Sequence, residues 1–265
     1  MTGWRPSLFL LTTALLHLAA LPLLAMGLWG WALGWLVTLH LLIMAVSLWP
    51  RSQWLGPNML RLPATAARRR EVAITIDDGP DPVVTPQVLR ILAAHGAKAT
   101  FFCIGERAAR HPELCRSILA AGHTIENHGQ THHMLCSLFG PARWRREVGD
   151  AQATLLGITG RRPIYYRAMA GLRNPFLAPV LHALGLQLVT WTRRGYDSRD
   201  GNADQVLARL LRQLAAGDIL LLHDGHCART RQGQPVILAV LPRLLEHLSA
   251  HHLQAVTLAD ACATP

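Results

Sequence analysis

Polar and apolar positions divide the chain into two unequal parts. Residues 7–49 contain no Asp, Glu, Lys or Arg. A bilayer core takes about 20 apolar residues of helix, so this run has room for two spans. It breaks at Met26-Gly27-Leu28-Trp29-Gly30. The pattern predicts a transmembrane helical hairpin with spans over about Leu8–Met26 and Trp31–Trp49. Trp4, Trp29, Trp31, Trp49 and Trp54 fall near the expected interfaces; Trp35 does not. Pro22 predicts a tolerated kink. A cleaved signal peptide fits the first segment poorly, because Arg5 alone makes its positive region and no small-x-small site follows. A soluble hairpin would show a polar face, and none is visible.

From about residue 71 the pattern changes to short apolar runs alternating with amphipathic stretches. Strands are predicted at 72–76, 99–103, 124–126, 186–191, 218–222 and 253–256. Helices are predicted at 86–95, 112–121, 143–156, 204–216 and 235–251. Such alternation predicts an α/β domain with a parallel sheet or barrel under outer helices. The chain thus divides into a membrane anchor (1–50), a basic linker (51–70) and a catalytic-type domain (71–262). No internal repeat interrupts this plan.

Charge refines the picture. The net charge is +10 and rests on arginine, since Lys98 is the sole lysine. No basic stripe interleaved with aromatics appears, which argues against a nucleic-acid partner. Arg68-Arg69-Arg70 suits either a lipid surface or a solvated linker. Arginines flank the hairpin at Arg5, Arg51 and Arg61, while its turn has none. The positive-inside rule therefore places both ends, and the domain, on the cytoplasmic side of a bacterial inner membrane. The five cysteines, Cys103, Cys115, Cys136, Cys227 and Cys262, form no C-x-x-C pair. This excludes a cysteine zinc site of that spacing and argues against a dense disulfide framework.

The chemistry lies at strand ends. Asp77 and Asp78 close the run Val72–Ile76, and His128 and His132 follow at i, i+4 spacing. On one helical turn these imidazoles would face the same way. One carboxylate with two histidines can hold a divalent ion and leave positions open; the other carboxylate is then free as a base. His223 ends the apolar run Asp218–Leu222. His133 is expected to point away from the site, and Glu126 and Asp224 are potential partners for the histidines.

Thr75-Ile76-Asp77-Asp78-Gly79-Pro80, His128-x-x-x-His132, the Arg167 segment and Leu221-Leu222-His223 resemble, in order, the motifs of the polysaccharide deacetylases of carbohydrate esterase family four, the NodB homology domain. The resemblance spans about residues 71–262. It implies a distorted (β/α) barrel. It also implies that Asp78, His128 and His132 bind a divalent metal, zinc first among several, that Asp77 is the catalytic base and that His223 is the acid. Arg167 would orient Asp77, the Ala170 N–H would contribute to an oxyanion hole, and Leu221 would line the acyl pocket. Two motifs depart from the pattern. Met169 replaces a proline, and Arg193-Arg194-Gly195-Tyr196-Asp197-Ser198 replaces Asp-x-x-Asp-Trp, with Asp197 matching the second Asp. The chemistry implied is hydrolysis of an N-acetyl group on an amino-sugar glycan or glycolipid. Two alternatives remain: deformylation or deacetylation of a lipid-linked sugar at the cytoplasmic face, and a non-catalytic sugar-binding protein.

Overall fold

The computed structural model describes residues 3–263. The apolar segment forms α1 (Leu8–Leu18), α2 (Ala20–Ala25) and α3 (Trp29–Ser47). Pro22 has no N–H to give the carbonyl four residues back, so the first predicted span breaks at Ala19 instead of running on. The second starts and ends two residues earlier than predicted. Leu8–Ala25 and Trp29–Ser47 are both long and apolar enough to cross a membrane. Trp35, which suits no interface, donates its indole N–H to the Leu16 carbonyl across the hairpin at 2.8 Å.

The remaining elements in chain order begin with α4 (Ala64–Arg68), β1 (Glu71–Gly79), α5 (Thr85–Ala94), β2 (Thr100–Cys103), α6 (Gly105–Arg110), α7 (Pro112–Ala120) and β3 (Thr124–Asn127). Next come α8 (Pro141–Thr159), β4 (Tyr165–Tyr166), α9 (Leu177–Leu184), β5 (Gln187–Leu188) and β6 (Arg193–Arg194). Then follow α10 (Ala203–Leu211), β7 (Ile219–His223), α11 (Val236–Ala250), β8 (Gln254–Val256) and α12 (Leu258–Cys262). The sheet runs β5-β4-β3-β2-β1-β7-β6, with β8 added to β1, and every named pair is parallel. β1 is buried along its whole length, as a central parallel strand covered on both faces should be. Ile74, Ile76, Val88, Phe101 and Leu241 are fully buried in the main core between sheet and helices. Truncating Ile76 to Ala there would cost roughly 2–5 kcal/mol.

The two outer strands, β5 and β6, are successive parts of residues 187–194. This segment starts against β4 and ends against β7, so it closes the distorted barrel. The predicted strand 186–191 is thus shortened to Gln187–Leu188, and β6 lies beyond its expected end. Met59 lies along the bend: its N–H donates to Leu188 O at 2.9 Å and its carbonyl accepts from Thr190 N at 3.0 Å. The stretch expected as a linker is thus packed onto the barrel. Leu62 and Ala66 share a core cluster with Ala73 and Val189. Asn58 binds Pro50 O and Ser52 O, both at 3.1 Å.

Candidate active site

In a regular strand Asp77 and Asp78 would point to opposite faces. Here the β1–β2 register slips between Asp77 and Gly79, and Asp78 takes a positive φ of 72°. Asp78 is the extra residue of a bulge, which re-aims its side chain. Both carboxylates consequently line one cleft of about 560 Å³, with His128, His132, Ala170, Leu221 and His223. Gly79 must lack a side chain, because a Cβ there would come within 2.6 Å of the Asp224 carboxylate.

Arg167 is fully buried and its Nη1 meets Asp77 Oδ1 at 2.7 Å. The same Nη1 donates to Thr75 Oγ1, and Nη2 donates to Thr190 O at 2.9 Å. The guanidinium also lies over the Phe102 ring, 4.1 Å from its centre. Burial pulls Arg167 below the usual arginine range, and Asp77 opposes that pull. With Nε donating to Val189 O at 3.3 Å, each of the three guanidinium nitrogens has an acceptor, so the pair is held firmly.

His128 and His132 do not share a helical turn. β3 ends at Asn127, Gly129 has φ 83°, His132 has φ 55°, and the five residues form a loop. Glu147 of α8 shapes it. Its carboxylate accepts from Thr131 N at 2.8 Å, Thr131 Oγ1 at 2.8 Å and His132 N at 3.1 Å. The loop brings the two rings to 4.8 Å. His128 Nδ1 donates to the Arg167 carbonyl at 2.8 Å, which leaves a bare Nε2 facing Asp78 Oδ1 at 3.2 Å. His132 Nε2 approaches the same oxygen at 3.0 Å. Lone pairs converging in this way require a cation between them, either a proton or a metal ion. The donor set of one carboxylate and two imidazoles fits a divalent transition metal such as zinc.

A third imidazole was not legible in the motifs. His226 Nδ1 lies 3.4 Å from Asp78 Oδ2, and Asp78, His132 and His226 offer ligand atoms within 4.8 Å of one another. Arg107 donates to His226 Nε2 at 2.9 Å and to Asp78 O at 2.9 Å. With Nε2 accepting from Arg107, neutral His226 carries its proton on Nδ1, towards Asp78. Its geometry is therefore that of a donor to the carboxylate. Burial pushes Asp78 up, but the contacts with the His128, His132 and His226 imidazoles outweigh it and hold the carboxyl well below its usual value.

His223 sits at the end of β7, where Asp197 accepts from its Nδ1 and from its backbone N–H. Its Nδ1 donates to Asp197 Oδ1 at 2.8 Å and its backbone N–H to Oδ2 at 2.7 Å. Burial disfavours the imidazolium, yet the Asp197 carboxylate outweighs burial and raises His223 to about 9. Asp197 is thus His223's partner, while the Arg193-Arg194 part of that motif diverges. Glu126 and Asp224 do not support the histidines. Glu126 accepts from Ile164 N and Tyr165 N at 2.8 Å, and Asp224 accepts from Thr85 and from Gly225 N. Burial pushes both acids up to about 7.

Ala170 has φ 50° in a 3-10 turn over Met169–Gly171. The turn is braced by the segment that ends α3 and follows it. A Cβ at Gly171, φ 73°, would run into Pro50. Arg173 N donates to Ser47 O at 3.3 Å, and its guanidinium binds the Ser52 carbonyl.

Residues 64–189 match the sequence profile described as polysaccharide deacetylase. A peptidoglycan-N-acetylglucosamine deacetylase of Bacillus cereus is 32% identical over 192 residues, which are 71% of this chain and 86% of that protein. A chitooligosaccharide deacetylase of Bradyrhizobium sp. is 36% identical over 158 residues, 59% of this chain and 72% of that one. A solved peptidoglycan N-acetylglucosamine deacetylase, in complex with 4-naphthalen-1-yl-N-oxidanyl-benzamide, has a TM-score of 0.70 at 26% identity. It covers 78% of this chain and 94% of its own. With the bulged Asp pair, the histidine loop and the strand-end His223 on this fold, the chain belongs to the polysaccharide deacetylase family, hydrolases of carbon–nitrogen bonds in carbohydrate esterase family four.

Proposed function

We propose that this chain is a metal-dependent N-deacetylase of N-acetylglucosamine units in a glycan or glycolipid. The observation that carries the reading is the division of labour in one cleft. Asp77 is fixed against a buried guanidinium and His223 against a buried carboxylate, beside the Asp78–His128–His132 group. A divalent ion held by those three residues would acidify water and polarise the amide carbonyl. Asp77, kept oriented by Arg167, takes the proton from the attacking water. His223, protonated against Asp197, gives its proton to the departing amine nitrogen. The Ala170 N–H faces the developing oxyanion, and Leu221 bounds the acyl group. Acetate release from chitooligosaccharides by the full chain in detergent, with and without added zinc, tests this. A zinc-replete protein that releases none from any amino sugar, yet binds sugars, would support the non-catalytic alternative.

A second reading is favoured by the packing of Gly171 against Pro50, just after α3, and by the hydrogen bond from Arg173 N to Ser47 O at the end of α3. With the hairpin in a bilayer, the cleft stays close to the lipid surface, and a lipid-linked sugar becomes the accessible substrate, deacetylated or deformylated at the cytoplasmic face. A reporter fused to the C-terminus and found outside the cytoplasm would remove it.

A further inference from the structure

Arg193 and Arg194 are neighbours on β6 and point to opposite faces. Their fates differ. Arg193 Nε is paired with the buried Asp218 at 2.9 Å. Arg194 lines the active-site cleft, and among the described residues nothing accepts from its guanidinium. Its Nε is buried without a partner. The group is held in place by ring faces instead, 5.1 Å from the centre of Trp191 and 5.0 Å from that of Tyr196. Arg199, exposed on the same cleft, meets no carboxylate among the described residues either. Arg107 and Arg110 of α6 also line the cleft, against Glu106 as the one acid outside the Asp pair.

A fixed, unpaired guanidinium beside a reacting group is an anion receptor awaiting its anion. A neutral sugar oligomer would leave Arg194 and Arg199 without a counter-charge. A carboxylate is satisfied by one guanidinium fork. Two arginines, one at the end of β6 and one in the turn after it, suit a group with three peripheral oxygens. β6 pairs Arg194 with Leu221, so this receptor adjoins the wall proposed to bound the acyl group.

We propose that the cleft selects an amino sugar carrying a phosphoryl group near the scissile amide, with Arg194 and Arg199 as its receptor. This rests on the deacetylase reading and narrows its substrate class. It also agrees with a sugar tethered to lipid through phosphate.

The test compares acetate release from N-acetylglucosamine 1-phosphate and from uncharged methyl N-acetylglucosaminide, using the full chain in uncharged detergent with zinc. The expected result is a kcat/KM preference for the phosphate of about tenfold or more, carried by KM and narrowed by salt. In Arg194→Gln and in Arg199→Gln that preference falls, and Arg194→Lys retains part of it. Arg199 is exposed, so its variant reads the receptor without threatening the fold. No preference in the wild type, or an undiminished one in both Gln variants, overturns the proposal. Stronger turnover of N-acetylmuramic acid than of the phosphate overturns the phosphoryl assignment in favour of a carboxylate. If no substrate releases acetate, the deacetylase reading fails on its own. Calorimetric binding of glucosamine 1-phosphate against methyl glucosaminide then decides the receptor: phosphate-selective binding lost in Arg194→Gln supports it, and equal binding ends it.

Discussion

The Asp197 carboxylate accepts both the ring and the backbone N–H of His223, at 2.8 and 2.7 Å. The contact fixes the imidazole tautomer and keeps the ring charged. With His223 raised to about 9, the acid form persists through neutral pH, and deacetylation is expected to fall on the alkaline side near pH 9. Asp197→Asn removes the charge that outweighs burial. Its alkaline limb should move towards lower pH, and the rate at pH 8 should drop by about 10²–10⁴-fold. A pH–rate profile of both proteins checks this, and coincident alkaline limbs would contradict it.

The same shift affects stability. A group whose folded pKa is raised contributes stability below its unfolded pKa, and that contribution disappears as pH rises through the folded value. For His223 the loss runs from about 6.5 to about 9. Thermal unfolding across that window should show a decline in wild type that is shallower in His223→Gln.

Asp77→Asn should keep the metal and lose turnover by about 10²–10⁴-fold. Asp78→Asn and His132→Ala should lose metal as well. Elemental analysis beside acetate release separates the two classes. Full activity in Asp77→Asn would falsify the base assignment.

Glu147 reaches no substrate-facing atom, yet it holds the loop that carries His132. Glu147→Gln should weaken metal affinity by about 10–100-fold, as for other outer partners of ligands. A competitive chelator titration measures it. A loss of rate without loss of affinity would argue for another role.

Gly171→Ala adds a Cβ at φ 73° into Pro50. The strained backbone alone costs about 1–2 kcal/mol, so the melting temperature should fall. Activity should fall with it, because Ala170 belongs to the same turn. Unchanged stability would contradict both the strain at this backbone and the close contact with Pro50.

The sequence exposed whatever has a local period. β1 was legible as an unbroken apolar run, and α11 by its helical spacing. The two-residue strand β4 was too short to leave a pattern. α9 leaves little trace either, since it has eight residues and carries Pro179 in its first turn. The fates of Glu147, His226 and Asp197 depend on contacts between distant residues, which leave no spacing to read. The histidine loop was mistaken for a helical turn because i, i+4 spacing is common to both. Only the left-handed Gly129 and the Glu147 carboxylate decide between them. The docked 51–70 stretch was read by its arginines, while Met59, Leu62 and Ala66 determine its place.

The bulge at Asp78 makes the catalytic pair a matter of counting. Substituting one aliphatic residue for another within Val72–Ile76 changes packing by degrees. Deleting any one of them would slide the strand by one residue and exchange its two buried faces, so that each side chain meets the packing built for its neighbour. Length is therefore the stricter constraint on this strand: a deletion before Asp77 re-aims every side chain at once, whereas a change of one apolar side chain is felt only where it packs.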